Sequence, residues 1–487
     1  MERLKGLGPS RMDVKRQYGA ALVVSMLMFN YGLAAGWPAT VLPHLMSPEE
    51  SPLASGPVSL EDSTWLATLL TITGIPVAPL VAVACERWGR KSVGYLTGAL
   101  HVFSNLLPAF SLTIEALYVS RSLLGWACAF GFIFTPLYIR EISDDETRGP
   151  LGVLMTIVIN VGVLAVYVIG TYCSVVTTSW LCALPAVLFL VLLFWLPETP
   201  VYLLMKGRED EARSALVFLR GPRYDVQAEV DCVNESLRSM KANVPGGPSI
   251  LKELFTSKAS RRAGIIMIGI MINQQFSGLF CIVSYTVQIF QEAGSNMSPY
   301  LSSIVVGFMM LVGTIVSVFL CKRMGRKILL IISDVFMAVS LFGMGLYFYL
   351  KHIGEDTSKF GWVTLVCLSV YIIGFNIGLG PISMLVYTEI FSPKLVSTAL
   401  AVSGPIPGIL SFIIGKFFYT VADIVGVYTC YWGFATTCAL GVAFIIAAVP
   451  ETKNRPIDSI LKELEGISPE IESRPKKGYD PVDTNAI

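Results

Sequence analysis

The chain has 487 residues, of which 54% are apolar and only 15% charged; 36 Lys and Arg stand against 35 Asp and Glu, a net charge of +1. Soluble domains carry about 25% charged residues, and one this apolar would expose far too much hydrophobic surface, so a soluble enzyme is excluded. The near-neutral balance leaves no basic field to attract nucleic acid.

A membrane-spanning helix needs about 20 mostly apolar residues. Twelve such runs occur in order, near 18–41, 63–85, 92–112, 115–139, 150–172, 178–197, 262–290, 299–321, 327–350, 362–388, 397–419 and 426–449. The first follows a basic segment, 1–17, and shows no short core with a small-residue cleavage site, so it is expected to remain as a membrane helix. The predicted layout is six spans in 18–197, a charged loop in 198–261, six spans in 262–449 and a polar tail in 450–487. The fold class expected is an all-α membrane protein with twelve transmembrane helices in two six-helix halves. Within the loop, Glu209 to Arg220 and Val226 to Lys241 are charged and periodic and predict short helices. Residues 465–487, with Pro, Ser and charge, predict disorder.

With the N-terminus placed in the cytoplasm, 32 of the 36 basic residues fall on inner segments. Only Lys351 and Lys359 fall outside, and Arg121 and Lys416 lie within spans. Basic residues favour the cytoplasmic side, so both termini are expected there. Trp37, Trp65, Trp180 and Trp362 at outer span ends, with Trp88 and Trp195 at inner ends, predict aromatic belts. The ten cysteines stand singly, most in apolar runs and with no C-x-x-C, so neither a disulfide framework nor a zinc site is expected. No nucleophile–base set, phosphate loop or metal cluster stands out, and only three His occur. An enzyme, a metal and a cofactor are therefore not expected.

The two halves echo each other. Glu86-Arg87-Trp88-Gly89-Arg90-Lys91 after span 2 matches Lys322-Arg323-Met324-Gly325-Arg326-Lys327 after span 8. Glu141-Ile142 matches Glu389-Ile390, and Pro197-Glu198-Thr199 matches Pro450-Glu451-Thr452. The offsets are 236, 248 and 253 residues, in order along the chain. One match would be a turn or a helix stop; three in register predict homologous, pseudo-symmetric halves. Parallel repeats of this kind build carriers that rock about a site near the bilayer midplane.

These marks, with Gln274-Gln275-Phe276-Ser277-Gly278, Tyr285 to Phe290, and Gly380-Pro381-Ile382, resemble the sugar porters of the major facilitator superfamily. That group includes animal glucose transporters and insect-type facilitated trehalose transporters. The resemblance covers nearly the whole chain apart from both ends. It implies the major facilitator fold, a small-molecule sugar as substrate, alternating access across the plasma membrane, and function as a monomer. In the family, inner-face charges pair between neighbouring helices, hold the outward-open state and part when the cytoplasmic side opens. The matching gating residues are Arg90, Glu141, Arg148 and Glu198 in the first half, and Arg326, Glu389 and Glu451 in the second. Where a second Arg is expected, seven residues past Glu389, stands Val396. Lys394 offers a point charge without the bidentate fork, so a weaker inner gate is expected in the second half.

For the substrate, the resemblance singles out Gln274 and Gln275, with Tyr285 at an outer gate. The alternative for the two glutamines is interhelical hydrogen bonding. Gly278 is expected to permit local unwinding, and Gly374, Gly378, Gly380 and Pro381 to break span 10. Several sugar-contact positions of the family are replaced: Thr156, Phe280, Met310, Met384, Pro407 and Gly408 stand where amides or tryptophan are expected. Asn376, Thr156 and Ser411 are candidate substitutes. The family's proton symporters carry an acid in span 1, where this chain has Ala34. Uniport is therefore expected; Arg121 lacks that partner, and its alternative reading is snorkelling at the outer interface. Asp334 sits two turns after Lys327 and is expected to pair near the inner face. The rival readings are a transporter-like sugar sensor with little transport, and a porter of a polyol or other small neutral solute.

Overall fold

The computed structural model describes residues 11–466 except 54, 111–112, 222–223, 243–253, 295–296 and 393; the stretch predicted to be disordered lies outside the described residues from 467 onward. The first half comprises α1 (Arg11–Met46), α2 (Leu60–Gly74), α3 (Ala78–Trp88), α4 (Arg90–Phe110), α5 (Ile114–Ile142), α6 (Asp145–Tyr172) and α7 (Val175–Leu193). Three short helices follow: α8 (Pro200–Met205), α9 (Glu209–Arg220) and α10 (Val226–Ala242). The second half comprises α11 (Lys258–Phe276), α12 (Leu279–Ala293), α13 (Pro299–Arg323), α14 (Arg326–His352), α15 (Trp362–Ile377), α16 (Pro381–Ile390), α17 (Val396–Ser403), α18 (Pro405–Val425) and α19 (Val427–Ala448), before the amphipathic α20 (Ile457–Glu465).

Among the described residues, ten spans are long and apolar enough to cross a bilayer, and the bent pair α2–α3 makes an eleventh. The twelfth place belongs to α4, whose 21 residues include Arg90, Lys91, His101 and Asn105 and so dilute its apolarity. It is sheltered by its packing against α5 and α7. The 46° bend between α2 and α3 was not anticipated. Pro76 lies in it, and a proline removes a helical hydrogen bond and clashes with the preceding turn. The break between α11 and α12 falls at Gly278, whose φ of +85° suits glycine. That between α15 and α16 falls at Gly378 to Gly380, as expected.

The repeat recurs in packing. In the first half α4 packs against α5 and α7; in the second, α14 packs against α15 and α19 in the same way. Likewise α1 packs on α6, and α11 on α18. Small residues bring backbones close: a Cβ on Gly32 of α1 would strike the carbonyl oxygen of Ile159 on α6.

The loop helices have their own apolar core of Leu203, Leu204, Ala212, Ala215, Leu216 and Val230. Arg220 fastens this bundle to the membrane half. Its side chain is 4% exposed and pairs with Asp144 at 2.6 Å and Glu229 at 3.1 Å. It also donates to the carbonyl of Ile142 at 2.9 Å. Removing one partner of a buried ion pair strands the others. Arg220→Ala is expected to cost about 3 kcal/mol and to release α9 from the end of α5. Limited proteolysis of the loop checks this: cleavage as slow as in the parent would refute it.

Candidate substrate-binding site and inner-face charges

The charged marks converge at one end of the helix bundle. Arg90 opens α4, and Glu141 lies in the last turn of α5. Their pairing is bidentate, with Nη2 to Oε1 at 2.7 Å and Nε to Oε2 at 3.1 Å. Both side chains are only 5–6% exposed. Arg90 Nη1 also donates to the carbonyl of Cys85 at 3.2 Å, and the guanidinium lies over the Tyr202 ring. Glu198 caps the start of α4, accepting from the backbone N–H of Arg90 at 3.1 Å and of Lys91 at 3.0 Å. Burial pushes its carboxyl above the ordinary range, while these N–H groups and that of Thr199 pull it back. Gly89, at φ +97°, lets the carboxylate approach: a Cβ there would overlap Glu198 Oε2. Arg148 lies in the first turn of α6, but its side chain lies outside the described residues.

The second half repeats the design more loosely. Arg326 Nη2 donates to Glu389 Oε1 at 3.2 Å, in a single bond, with side chains 17% and 28% exposed. Arg326 Nε is buried without a partner. Glu389 spends its other oxygen on the Thr452 hydroxyl at 2.5 Å. Glu451 accepts from the N–H of Arg326 at 2.9 Å, as Glu198 does from Arg90. Lys327 donates to the Ile446 carbonyl, the counterpart of Lys91 on Phe194 and Leu196. Lys394 is exposed and has no ion pair among the described residues. Both Arg–Glu pairs lie within a half and not across the two. They are thus compatible with rigid rocking, and both are formed in the arrangement seen here.

With the basic face taken as cytoplasmic, the far side is closed. His44 on α1 stacks on Tyr300 of α13 with ring centroids 5.0 Å apart. Gln288 on α12 reaches Met46 Sδ at 3.5 Å. Lys416 on α18 donates to Thr64 Oγ1 at 3.0 Å and covers the Trp65 ring at 4.3 Å. The Tyr167 hydroxyl donates to the Val283 carbonyl at 2.8 Å. Phe280 lies against Gly415 of α18, which also borders Thr68 of α2, so it fills the wall between halves.

The predicted substrate residues are only partly gathered. Gln274 and Gln275 are half-buried at the end of α11, beside the helix break. Gln274 Nε2 donates to the Leu379 carbonyl, freed by the break between α15 and α16, at 3.2 Å. Gln275 Oε1 accepts from Ser411 of α18 at 2.6 Å. Asn376 is buried at mid-depth, apart from these bonds. Asn160 of α6, which the sequence reading passed over, donates to Asn376 Oδ1 at 3.1 Å and to Thr314 Oγ1 at 2.6 Å. Thr314 in turn donates to Asn376 Oδ1 at 3.2 Å. This amide–hydroxyl trio joins the two halves. The signal was present, since an asparagine inside a span is costly and needs a reason. Thr156, one turn earlier on α6, is half-buried with no side-chain hydrogen bond among the described residues.

Tyr285 also reaches α18. It is fully buried, donates to the Gly415 carbonyl at 3.2 Å and stacks with Phe418. Its own backbone leaves the helical region, with φ −122° and ψ 19°, which kinks α12. It is held within the second half, and its partner Gly415 lies one turn along α18 from Ser411, the partner of Gln275. Among the replaced positions, Met310 is buried one turn from Thr314, Met384 is exposed on α16, and Pro407 and Gly408 open α18, with Gly408 against Ile75.

One expectation, for Asp334, and one alternative reading, for Arg121, are overturned. Asp334 does not pair with Lys327; it is buried and accepts from Asn273 Nδ2 at 2.7 Å. Seven residues along a helix are about 10 Å of rise, and Lys327 turns to Ile446 instead. Arg121 does not snorkel: it is 2% exposed and donates to the carbonyls of Leu66 at 2.9 Å and Ala34 at 3.0 Å. Trp37, expected at the interface, is buried beneath its guanidinium, 4.9 Å from the ring centre.

Residues 20–464 match the model of the family described as "Sugar (and other) transporter". A facilitated trehalose transporter of Aedes aegypti is 33% identical over 447 residues, which are 92% of this chain and 55% of that protein. One of Culex quinquefasciatus is 32% identical, over 92% of this chain and 85% of its own length. The chain thus spans little more than half of the Aedes relative. The inward-open structure of the xylose transporter XylE from E. coli is 22% identical, covers 93% of this chain and all of that one, and aligns with a TM-score of 0.74, a likeness of fold. By the family model and the insect relatives together, this multi-pass membrane protein belongs to the "Sugar (and other) transporter" family.

Proposed function

We propose that the chain is a facilitative carrier that moves a sugar, trehalose or a hexose, through the plasma membrane by alternating access, as a monomer with both termini in the cytoplasm. The observation that carries the reading is the arrangement of Gln274 and Gln275. Two amides stand beside a broken helix of the second half, bonded to Leu379 and Ser411, in a bundle closed on one side. A site that hydrogen-bonds hydroxyls gains selectivity because unpaired polar groups are costly when the wrong solute binds. The charged pairs Arg90–Glu141 and Arg326–Glu389, with Glu198 and Glu451 at the helix starts, stiffen each half so that it moves as a body. Arg148 is assigned to the same inner-face charge set. No acid lies at Ala34 in α1, which favours uniport over proton coupling.

A second reading has its own support. Phe280, Met310 and Met384 remove polar contacts the family uses, which favours a smaller or less hydroxylated solute such as a polyol. Uptake into proteoliposomes separates these. Labelled trehalose, glucose, fructose and polyols are offered at equal pH and then with an inward proton gradient. Gradient-independent equilibration of trehalose or a hexose is the expected result. Equilibration of a polyol alone would move the substrate assignment. Binding without uptake would replace the carrier by a sensor.

A further inference from the structure

Arg121 is a permanent cation in the middle of a helix bundle, with no acid beside it. Its Nε and Nη1 donate to backbone carbonyls, and Trp37 offers a ring face. These are dipoles, and they leave the net charge in place. The remaining nitrogen, Nη2, is buried without a partner. Arg121 borders a small cavity whose lining includes Ala34, Trp37, Asn105, Ser120 and Ser179, with no Asp or Glu among the lining residues. Its room is that of about one water-sized body.

We propose that this cavity binds one small monovalent anion, chloride, as the counter-ion of Arg121. A water molecule would satisfy the N–H groups but leave the charge uncompensated, and an uncompensated buried charge is heavily penalised. Chloride has roughly twice the volume of a water molecule, so it enters only with a small outward shift of the lining side chains, and it needs donors, not acceptors. Nη2 supplies two N–H bonds, and Asn105 carries a second amide N–H beyond the one it gives to the His101 carbonyl. Larger or divalent oxyanions do not fit the space. The proposal is independent of which solute is carried.

The test is thermal unfolding of the purified full chain in potassium chloride against potassium gluconate at constant total potassium. As chloride replaces gluconate, the midpoint is expected to rise saturably, by about 1–3 °C. In Ala34→Asp, a tethered carboxylate takes the anion's place, and the chloride-dependent rise should vanish. Should that variant not fold, Ser179→Leu fills the same cavity and should likewise abolish the rise. Equal midpoints of the parent chain in the two salts overturn the proposal. So does a chloride shift that persists undiminished in the folded variant.

Discussion

Arg90→Ala is expected to destabilise the protein by about 3–5 kcal/mol, the cost of stranding one member of a buried ion pair. Glu141 would be left 6% exposed with no cation. The carbonyl of Cys85 would lose its donor, and Tyr202 the charge above its ring. Arg326→Ala, at the matching place in the second half, is expected to cost less, about 1–2 kcal/mol, because that pair is single, longer and partly solvated. Thermal unfolding in detergent measures both, and an equal or reversed order would sink the claimed asymmetry. Arg90→Lys should recover only part of the loss, since an ammonium cannot span both carboxylate oxygens. Whatever Arg90→Ala protein reaches the membrane should carry its solute with altered kinetics, because the inner ends of α4 and α5 no longer move together.

Much of this was legible in the sequence, for a physical reason. The charged marks are local: the glycine turn, the basic pair and the capping carboxylate each follow from a few adjacent residues, and repetition marks them as a unit. The helix breaks at Gly278 and Gly380-Pro381 are equally local. The loop helix Glu209–Arg220 was readable from its period. What the sequence did not reveal depends on partners far along the chain. Asn160 meets Asn376 across 216 residues, and Arg220 meets Ile142 across 78. No periodicity encodes such meetings. The backbone kink at Tyr285, which turns its ring toward α18, was likewise not readable from the residue type. The pairing assigned to Asp334 assumed that residues on one helix face interact; two turns is too far when Asn273 on α11 is nearer.

Asn160→Ala is expected to shift the protein away from the outer-closed arrangement. Asn160 makes two hydrogen bonds across the halves, at 2.6 and 3.1 Å. Each is worth about 0.5–1.5 kcal/mol net. Losing both would change the ratio of the two arrangements by roughly 5- to 150-fold, since a conformational equilibrium moves by the free energy that distinguishes its states. Asn376→Ala removes an overlapping set of bonds, so the double substitution should cost much less than the sum of the singles, as residues in one network do. A probe for the closed side is at hand in Phe280, which is packed against Gly415 beside Thr68. With Phe280→Cys in every background, any effect of that change cancels, and labelling by a membrane-impermeant thiol reagent from outside reports opening. Faster labelling with Asn160→Ala, a smaller gain with Asn376→Ala, and no gain of the double over Asn160→Ala alone, is the expected pattern. Unchanged labelling would mean that the trio merely fills space at mid-depth. Additive gains would mean that the two asparagines act on separate contacts. The same trio bears on selectivity: Thr314 and Asn376 also bond the carbonyls of Met310 and Ile372 on their own helices, but the bonds across the halves come from Asn160, so a solute whose hydroxyls take over those bonds can part the halves, while an apolar solute of equal size leaves them locked.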